Sequence, residues 1–207
     1  VTMLLYGGFD APHLEKARKS AALIGIPHLV VDYRAAFEQR VVSLFVAGYE
    51  RGVTPNPCVF CNRIVKFDLL AEKAAELGAS LMATGHYART VAPPGGVPRL
   101  LRAVDRAKDQ SYFLYRLDRD RLARTLFPLG VLSKSEVRAK ARAAGLPAAE
   151  ENESQEICFV GGDDYRDFIE NAMRRGRNGG SAYAGRRRRG PILDEAGKEL
   201  GTHEGIH

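Results

Sequence analysis

The sequence is poor in cysteine and has no long apolar stretch. Its three cysteines, Cys58, Cys61 and Cys158, are too few and too unevenly spaced for a disulfide framework. No apolar run approaches the length needed to cross a bilayer, and the segment after Val1 lacks the charged and then apolar pattern of a signal peptide. We therefore expect a cytoplasmic protein without a membrane partner, whose thiols serve metal or redox chemistry in a reducing compartment.

The composition is that of an ordinary globular protein. The 207 residues are 45% apolar and 27% charged, and they suffice for one sizeable core or for a larger domain plus part of a second. The 31 Lys and Arg residues exceed the 25 Asp and Glu residues, a net charge of +6 that is compatible with a polyanionic partner but does not establish one. There is no internal repeat. The chain begins without methionine and ends at His207 without a closing element, so we expect part of a longer protein.

The beginning of the chain predicts a parallel sheet. An apolar run at 1–6, a helix that opens at Pro12 and a second apolar run at 29–31 are typical of a strand, a helix and a strand. Parallel strands require such a crossover. A further short strand is predicted at 81–84. The predicted fold class is α/β, an open and mostly parallel sheet with flanking helices, plus the start of a small second domain.

Helical spacing predicts further elements. Amphipathic helices are expected at 35–50, with Phe45 on the apolar face, and between Asn62 and a cap at Gly78, with Leu77 on the apolar face. Another is expected after a capping box formed by Ser133 and Glu136. The segment 127–130 is predicted to end a short helix.

The last part of the chain predicts a second, smaller domain. A helical stripe begins at Tyr165, and the Arg- and Gly-rich segment 174–189 is interpreted as a linker or exposed loop. A strand, a turn at 194–197 and a second strand follow. The predicted domains are a partial catalytic domain at 1–162 and an incomplete small domain at 163–207.

The segment 54–67 contains two thiols three positions apart, Cys58 and Cys61. Two prolines precede them, and we expect a helix to begin near Asn62. A thiol just ahead of a helix lies in the positive end of the helix dipole, and Arg63 and Lys66 follow closely, so its pKa should fall toward neutrality. Spacing alone leaves two alternatives open, a zinc site or plain structural role on one side and redox or sulfur chemistry on the other.

Other candidate residues are ambiguous when each is taken alone. Cys158 is either a small buried hydrophobe or a thiol on a mobile polar loop. His86 follows a predicted strand, where α/β sheets bind ligands, but it could be a structural histidine. Lys108, Asp109 and Gln110 would by default form a solvated turn.

Two further segments could contact phosphate. Gly7-Gly8 lies between a strand and a helix but lacks flanking Ser or Thr, so we regard it as a weak nucleotide-binding candidate. The run of four arginines at 186–189 is either a solvated charged run or, with an RNA partner, a set of phosphate contacts.

The motifs together resemble one family, the bacterial tRNA-specific 2-thiouridylases (MnmA). The match extends essentially from end to end, and the set of motifs in this order is highly specific. The matching segments are Leu23-Ile24-Gly25-Ile26-Pro27-His28 with Val31-Asp32-Tyr33, Thr54-Pro55-Asn56-Pro57-Cys58-Val59-Phe60-Cys61-Asn62 with Lys66-Phe67, Ala83-Thr84-Gly85-His86-Tyr87-Ala88-Arg89, Lys108-Asp109-Gln110-Ser111-Tyr112-Phe113-Leu114, Phe127-Pro128-Leu129-Gly130, and Ser154-Gln155-Glu156-Ile157-Cys158-Phe159.

The resemblance implies an enzyme of the ATP-pyrophosphatase fold, related to the adenine nucleotide alpha hydrolases. Its reaction is an ATP-dependent sulfur transfer to C2 of the wobble uridine of tRNA. In the family, adenylation makes the uracil 2-oxygen a leaving group, and a persulfide on the cysteine matching Cys158 supplies the sulfur. The cysteine matching Cys61 is the second catalytic thiol and can form a disulfide with the first.

The resemblance also implies binding residues and partners. Asn56, Pro57 and Cys58 match a segment that touches the target base, which must leave its stack to react. His86 with Lys108, Asp109 and Gln110 matches tRNA contacts. Met3 and Gly85 match positions that contact ATP, which the family binds with magnesium. The expected partners are tRNA and a sulfur-donor protein, either a cysteine desulfurase or a sulfur-relay protein.

The chain departs from the family pattern in three ways. The family's phosphate-binding loop lies one strand and one helix upstream of Val1, and the chain stops before the family's C-terminal β-barrel. We therefore expect the thiols without the phosphate cradle, and expect that this chain alone cannot adenylate uridine. Cys58 stands where some members have Asp. The alternatives are an iron–sulfur or zinc module using the three cysteines, and an inactive RNA-binding remnant.

Overall fold

The described residues form an α/β protein with two compact units. The computed structural model describes residues 1–150, 157–160, 165–177 and 189–203. One unit comprises Val1–Glu38 and Cys58–Glu153, and the other comprises Gln39–Pro57 and Ser154–His207. The predicted boundary between residues 162 and 163 stays a prediction.

The first unit begins with the predicted strand, helix and strand. Strand β1 (Thr2–Leu4) pairs in parallel with β2 (Val30–Asp32), and Met3 lies opposite Val31. Helix α1 (Pro12–Leu23) connects them. The helix starts with proline in its first turn, where no intrahelical N–H is needed, and it buries Leu14 and Ala21. The predicted parallel crossover is confirmed.

Two more strand pairs complete this unit. Strand β3 (Met82–Ala83) pairs in parallel with β6 (Thr125–Leu126), and β4 (Ala88–Val91) forms an antiparallel hairpin with β5 (Arg99–Arg102). Short helices α6 (Arg119–Ala123) and α7 (Lys134–Ala143) follow, with 3-10 turns at Arg106–Lys108, Ser111–Leu114, Pro128–Val131 and Pro147–Glu150. The core beneath these elements consists of Phe67, Ala88, Leu114, Leu122 and Phe127. The predicted α/β class with parallel strands is confirmed.

Local rules correctly predicted the start of α7. Ser133 Oγ accepts from the Glu136 N–H, and the Glu136 carboxylate accepts from the Ser133 N–H, which is the predicted capping box. The prediction for 127–130 was wrong. This segment does not end a helix but follows β6, and Pro128 begins a 3-10 turn.

The second unit is built from helices and a hairpin. A helical segment runs through α2 (Arg34–Phe37), a π-helical stretch (Glu38–Val42) and α3 (Ser43–Glu50), and most of it belongs to this unit. Within the unit, α3 packs on α8 (Tyr165–Arg177), where Phe45 and Ile169 are fully buried. Strands β7 (Gly190–Leu193) and β8 (Glu199–His203) form an antiparallel hairpin. The predicted linker is helical through residue 177, and its part at 178–188 lies outside the described residues.

Candidate active site

The two thiols of the Cys-x-x-Cys segment lie inside a helix. Helix α4 (Pro57–Cys61) begins at Pro57, continues into a π-helical segment (Asn62–Leu69) and then into α5 (Leu70–Glu76). The predicted helix start near Asn62 was wrong, because proline is a favourable first residue of a helix. π-Helical turns are rare and occur frequently at functional sites.

The approach to this helix is tightly packed. A methyl group added at Gly48 would lie 2.8 Å from Cγ of Pro55. Glycine at position 48 therefore lets the proline lie against α3, two residues before α4 begins. Asn56 is half-buried and Pro57 is buried, and both belong to the second unit.

The thiols of Cys58 and Cys61 differ in their environments. Cys61 is buried, with 7% of its surface exposed, whereas Cys58 is partly open to solvent. Protein atoms around Cys58 still desolvate its thiolate and raise the pKa of this thiol, and the positive charge of Lys66 offsets only part of that effect. The fall in pKa was predicted for the thiol just ahead of Asn62, which is Cys61, and it stays a prediction.

His86 lies at the carboxyl end of β3, as predicted. Its ring lies 5.8 Å from the ring of Phe67 and 6.3 Å from that of Phe127, and its Nδ1 is 2.9 Å from Oγ1 of Thr84. Burial, and to a lesser degree the charge of Lys66, lower the pKa of His86 to about 3. The imidazole is therefore neutral at neutral pH, and Lys66 influences both this ring and the thiol of Cys58.

Asp109 and Gln110 form hydrogen bonds with other parts of the first unit. The segment is therefore not the solvated turn expected by default. The Asp109 carboxylate accepts hydrogen bonds from the Ala103 N–H at 2.8 Å and from Oγ of Ser111 at 2.7 Å. Burial raises the pKa of Asp109, but these hydrogen bonds outweigh it, so the net pKa is lowered and the carboxylate is ionised.

Gln110 is joined to the residue after His86. Its N–H donates to the Tyr87 carbonyl at 2.8 Å, and its Oε1 accepts from the Tyr87 N–H at 2.9 Å. This reciprocal pair holds the 108–110 segment beside the end of β3. The structure thus brings the Lys108-Asp109-Gln110 segment next to the residue that follows His86.

Sequence reasoning missed a role for Asn62, although it directly follows Cys61. Only 3% of its surface is exposed, and its Nδ2 donates to the Phe113 carbonyl at 3.1 Å. Its Oδ1 is buried without a hydrogen-bond partner among the described residues. Asn62 thereby connects the thiol-bearing helix to the turn that follows Gln110.

The predicted ATP positions lie on two different strand pairs. Met3 is half-buried in β1, while Gly85 is exposed just after β3. A methyl group at Gly85 would meet only Cδ1 of Leu129, at 3.8 Å, so packing within the chain does not require glycine there. The role of Gly85 in ATP binding stays a prediction.

The Gly7-Gly8 loop does not present an open cationic cradle. Arg34 donates to the Gly7 carbonyl at 3.1 Å, and its guanidinium is already paired with the Asp32 carboxylate at 2.7 Å. This arrangement agrees with the weak nucleotide-binding interpretation of the loop.

Cys158 belongs to the second unit and lies in a turn at 158–160. Its side chain is exposed, so the buried-hydrophobe alternative was wrong, while Ile157 and Phe159 on either side pack on the Phe45–Ile169 core. The thiol is thus held on an anchored turn and faces solvent. The neighbouring Gln155-Glu156 and Gly161-Gly162 lie outside the described residues, as do Arg186 to Arg188.

In the ranges that the structure describes, no group of three or more His, Cys, Asp or Glu side chains is placed to hold a metal ion. Within the same ranges, no helix has the length and apolarity needed to cross a bilayer.

Curated relatives have similar sequences and a consistent name. The chain is 52% identical over 192 residues to the tRNA-specific 2-thiouridylase MnmA of Desulforudis audaxviator, covering 92% of this chain and 53% of that protein. It is 48% identical to the protein of the same name from Geobacter metallireducens, covering 98% of this chain and 55% of that protein. For the Sorangium cellulosum protein the identity is 50%, with 92% and 47% covered. The chain therefore spans about half the length of the curated relatives it matches.

A family model matches residues 10–162 and is described as a tRNA methyl transferase HUP domain. The match covers most of the first unit, including both thiols of α4, as well as Cys158. The resemblance found from the motifs is thus confirmed by an independent comparison. The chain belongs to the tRNA methyl transferase HUP-domain family, in which the relatives that it matches are named tRNA-specific 2-thiouridylases MnmA.

Proposed function

We propose that this chain is the thiol-bearing part of a tRNA-uridine 2-sulfurtransferase, which replaces the 2-oxygen of the wobble uridine by sulfur. The main support is the match to 2-thiouridylases over nearly the whole chain, which contains three cysteines. Sulfur transfer rather than methyl transfer is favoured because the matched segment contains three thiols. The reaction belongs in the cytoplasm, where thiols stay reduced.

Cys158 is the proposed sulfur carrier. A thiol on an exposed turn can reach a separate donor protein, a cysteine desulfurase or a sulfur-relay protein, and accept a sulfur atom as a persulfide. Cys61, which is buried, is the proposed second thiol. Its thiolate attacks the inner sulfur of the Cys158 persulfide, and a Cys61–Cys158 disulfide forms. The terminal sulfur leaves as hydrosulfide with the electron pair of the broken S–S bond, adds to C2 of the activated uracil, and the 2-oxygen leaves with its activating group. An external dithiol then reduces the disulfide.

The proposed tRNA contacts come from three segments of the chain. Asn56, Pro57 and Cys58 contact the target uracil, which has to be flipped out for its C2 to be reached. Neutral His86 and the segment at 108–110 contact the surrounding nucleotides. The raised pKa of Cys58 suits a thiol that contacts the base without acting as the nucleophile.

Met3 and Gly85 are the proposed contacts for ATP with its magnesium ion. Bound ATP supplies the adenylyl group that turns the uracil 2-oxygen into a leaving group. The described residues contribute the exposed glycine at the end of β3 and no carboxylate cluster for the metal. We also propose that 1–162 is the catalytic domain and 163–207 the start of a second domain.

Peptide mass spectrometry of the three cysteines tests the function. The chain is incubated with a cysteine desulfurase and free cysteine without reductant, and thiols are then alkylated. We expect an added sulfur on the Cys158 peptide, or a Cys61–Cys158 disulfide. Cys158→Ser should abolish both products, Cys61→Ser should retain the persulfide but not the disulfide, and the matched control Cys58→Ser should retain both.

Two outcomes would contradict this proposal. One is sulfur loaded on Cys58 while Cys158 stays unmodified. The other is thiols that resist alkylation and release zinc or iron on acid treatment, which would favour the metal-module alternative.

A further inference from the structure

Two tyrosines on one short turn are unusually open to solvent. Tyr112 is 65% exposed and Tyr115 is 64% exposed, and their ring centroids lie 6.0 Å apart with the planes inclined by 45°. Large aromatic side chains usually contribute to cores and interfaces. Two such rings side by side on a surface indicate a binding site more strongly than one exposed ring would.

The turn presents both rings because its other side is fixed. Tyr112 lies in the 3-10 turn Ser111–Leu114, and Tyr115 is the residue that caps its end. Residues three positions apart in such a turn project in the same direction, which places the two rings together. Leu114 is only 1% exposed and packs in the core of the first unit. The Phe113 carbonyl accepts the hydrogen bond from Asn62. The rings therefore project from a rigid base.

The tyrosine pair is continuous with the thiol-bearing helix. The guanidinium of Arg116, the residue after Tyr115, lies 5.3 Å from the ring centroid of Phe60. Phe60 immediately precedes Cys61. A base stacked on the tyrosines would therefore lie next to an arginine that already contacts the helix of the two thiols.

The charge around this turn suits a polyanion. The segment 99–124 contains eight Lys and Arg residues against four Asp residues, an excess of four in a chain whose total net charge is +6. Exposed tyrosines also occur in protein interfaces. The local positive charge favours nucleic acid over an ordinary protein partner.

We propose that Tyr112 and Tyr115 form a stacking platform for unpaired RNA bases, with Arg116 at its edge. Aromatic rings bind single-stranded nucleic acid by stacking on the base faces, with little dependence on sequence. This inference rests on the proposed tRNA substrate and specifies how its single-stranded nucleotides are held. The platform acts in binding and is separate from the sulfur-transfer step.

Fluorescence anisotropy tests the platform with two labelled probes, an oligouridylate and a chain of the same length and charge without bases. We expect Tyr112→Ala with Tyr115→Ala to weaken oligouridylate binding about tenfold or more, as expected for lost stacking. Tyr112→Phe combined with Tyr115→Phe should retain most of the affinity for the oligouridylate. Tyr6→Ala, at an exposed tyrosine elsewhere, should have no effect. Binding of the base-free probe should not respond to any of these changes.

Several results would overturn the platform. They are an absence of oligouridylate binding, an equal loss of affinity for both probes, or an unchanged affinity in the double alanine variant. A change in oligomeric state of that variant with intact RNA binding would indicate a protein interface instead. Circular dichroism checks that the variants fold. Persulfide formation on Cys158 is measured separately, so failure of the platform and failure of the sulfurtransferase proposal are distinguishable.

Discussion

The side-chain amide of Asn62 donates a 3.1 Å hydrogen bond to the main-chain carbonyl of Phe113. It joins the helix that contains Cys61 to the turn that presents Tyr112 and Tyr115. The donor is almost fully buried, so water cannot replace the bond without a local opening.

Replacing this amide should make the Cys61 thiol more accessible in the native state. Asn62→Ala leaves the Phe113 carbonyl without its donor, and we expect it to lower the free energy of unfolding by about 1–3 kcal/mol. Alkylation of Cys61 in the native state should become faster, which peptide mass spectrometry over time can measure. Thr125→Val is the matched control, since Thr125 is equally buried and donates to the Arg121 carbonyl at 2.7 Å. If Asn62→Ala and Thr125→Val lose equal stability and Cys61 is alkylated at the same rate in both, the hydrogen bond of Asn62 has no specific effect on Cys61.

Lys66→Met should raise the pKa of both Cys58 and His86. The positive charge of Lys66 disfavours a charged imidazole and favours a thiolate, so its removal raises both values. The pH dependence of Cys58 alkylation and NMR titration of His86 measure the two shifts. Lys19→Met, at an exposed lysine of α1, should change neither. A lowered pKa at either site would be incompatible with this electrostatic arrangement.

His86 should make the folded state sensitive to acid. Its pKa is about 3 when folded against an ordinary 6.5, so the unfolded chain binds more protons between these values. Stability should therefore fall as the pH drops below 6.5, by up to about 1.4 kcal/mol per pH unit from this group. Urea titrations at several pH values should show that stability depends less steeply on pH in His86→Phe than in wild type. A wild-type dependence of stability on pH in His86→Phe would disprove the assignment.

Phe45 should be essential to the unit that holds Cys158. It is fully buried, and its ring lies 5.4 Å from that of Phe159, the residue after Cys158. We expect Phe45→Ala to cost about 3–5 kcal/mol and to increase hydrogen exchange at 157–160. Leu44→Ala, at a neighbouring residue that is 43% exposed, should cost far less. Similar losses in both variants would show that this core does not support the turn.

Gly130 should tolerate no side chain. An added Cβ would overlap the Ala88 carbonyl, and the Val104 N–H donates to the Gly130 carbonyl at 2.9 Å, so the backbone cannot simply move away. Thermal unfolding should show a large loss of stability for Gly130→Ala and little change for Gly85→Ala, which has room for a methyl group. A wild-type melting temperature for Gly130→Ala would mean that the backbone at Gly130 can move away from Ala88 at little cost.

Features that depend on neighbouring residues in the chain were predictable. The βαβ start, the capping box at Ser133 and the hairpin around the turn at 194–197 follow from short-range rules. The apolar stripe through Phe45 correctly marked a buried helix face, because helical spacing alone decides which residues share a face. The same rule placed Leu77 on the buried face of α5, where it is 55% exposed.

Predictions failed where distant parts of the chain decide the outcome. Adjacent charges and the helix dipole would lower the pKa of a thiol in this segment, but the protein atoms packed around Cys58 raise its pKa. The 108–110 segment was interpreted as a solvated turn, because its own residues are polar. The hydrogen bonds that hold it come from Ala103 and Tyr87, which lie elsewhere in the chain. The roles of Lys108, Asp109 and Gln110 in tRNA binding stay predictions.

The sequence by itself determined the fold class, the family and the identity of the three thiols, since these depend on residue types, their order and their spacing. Only the tertiary structure decided that Cys61 is buried while Cys158 faces solvent, that His86 is neutral, and that Asn62 holds the turn of Tyr112 and Tyr115. Burial, desolvation and long-range hydrogen bonds arise from packing between segments far apart in the chain. Local sequence patterns contain too little information to specify that packing.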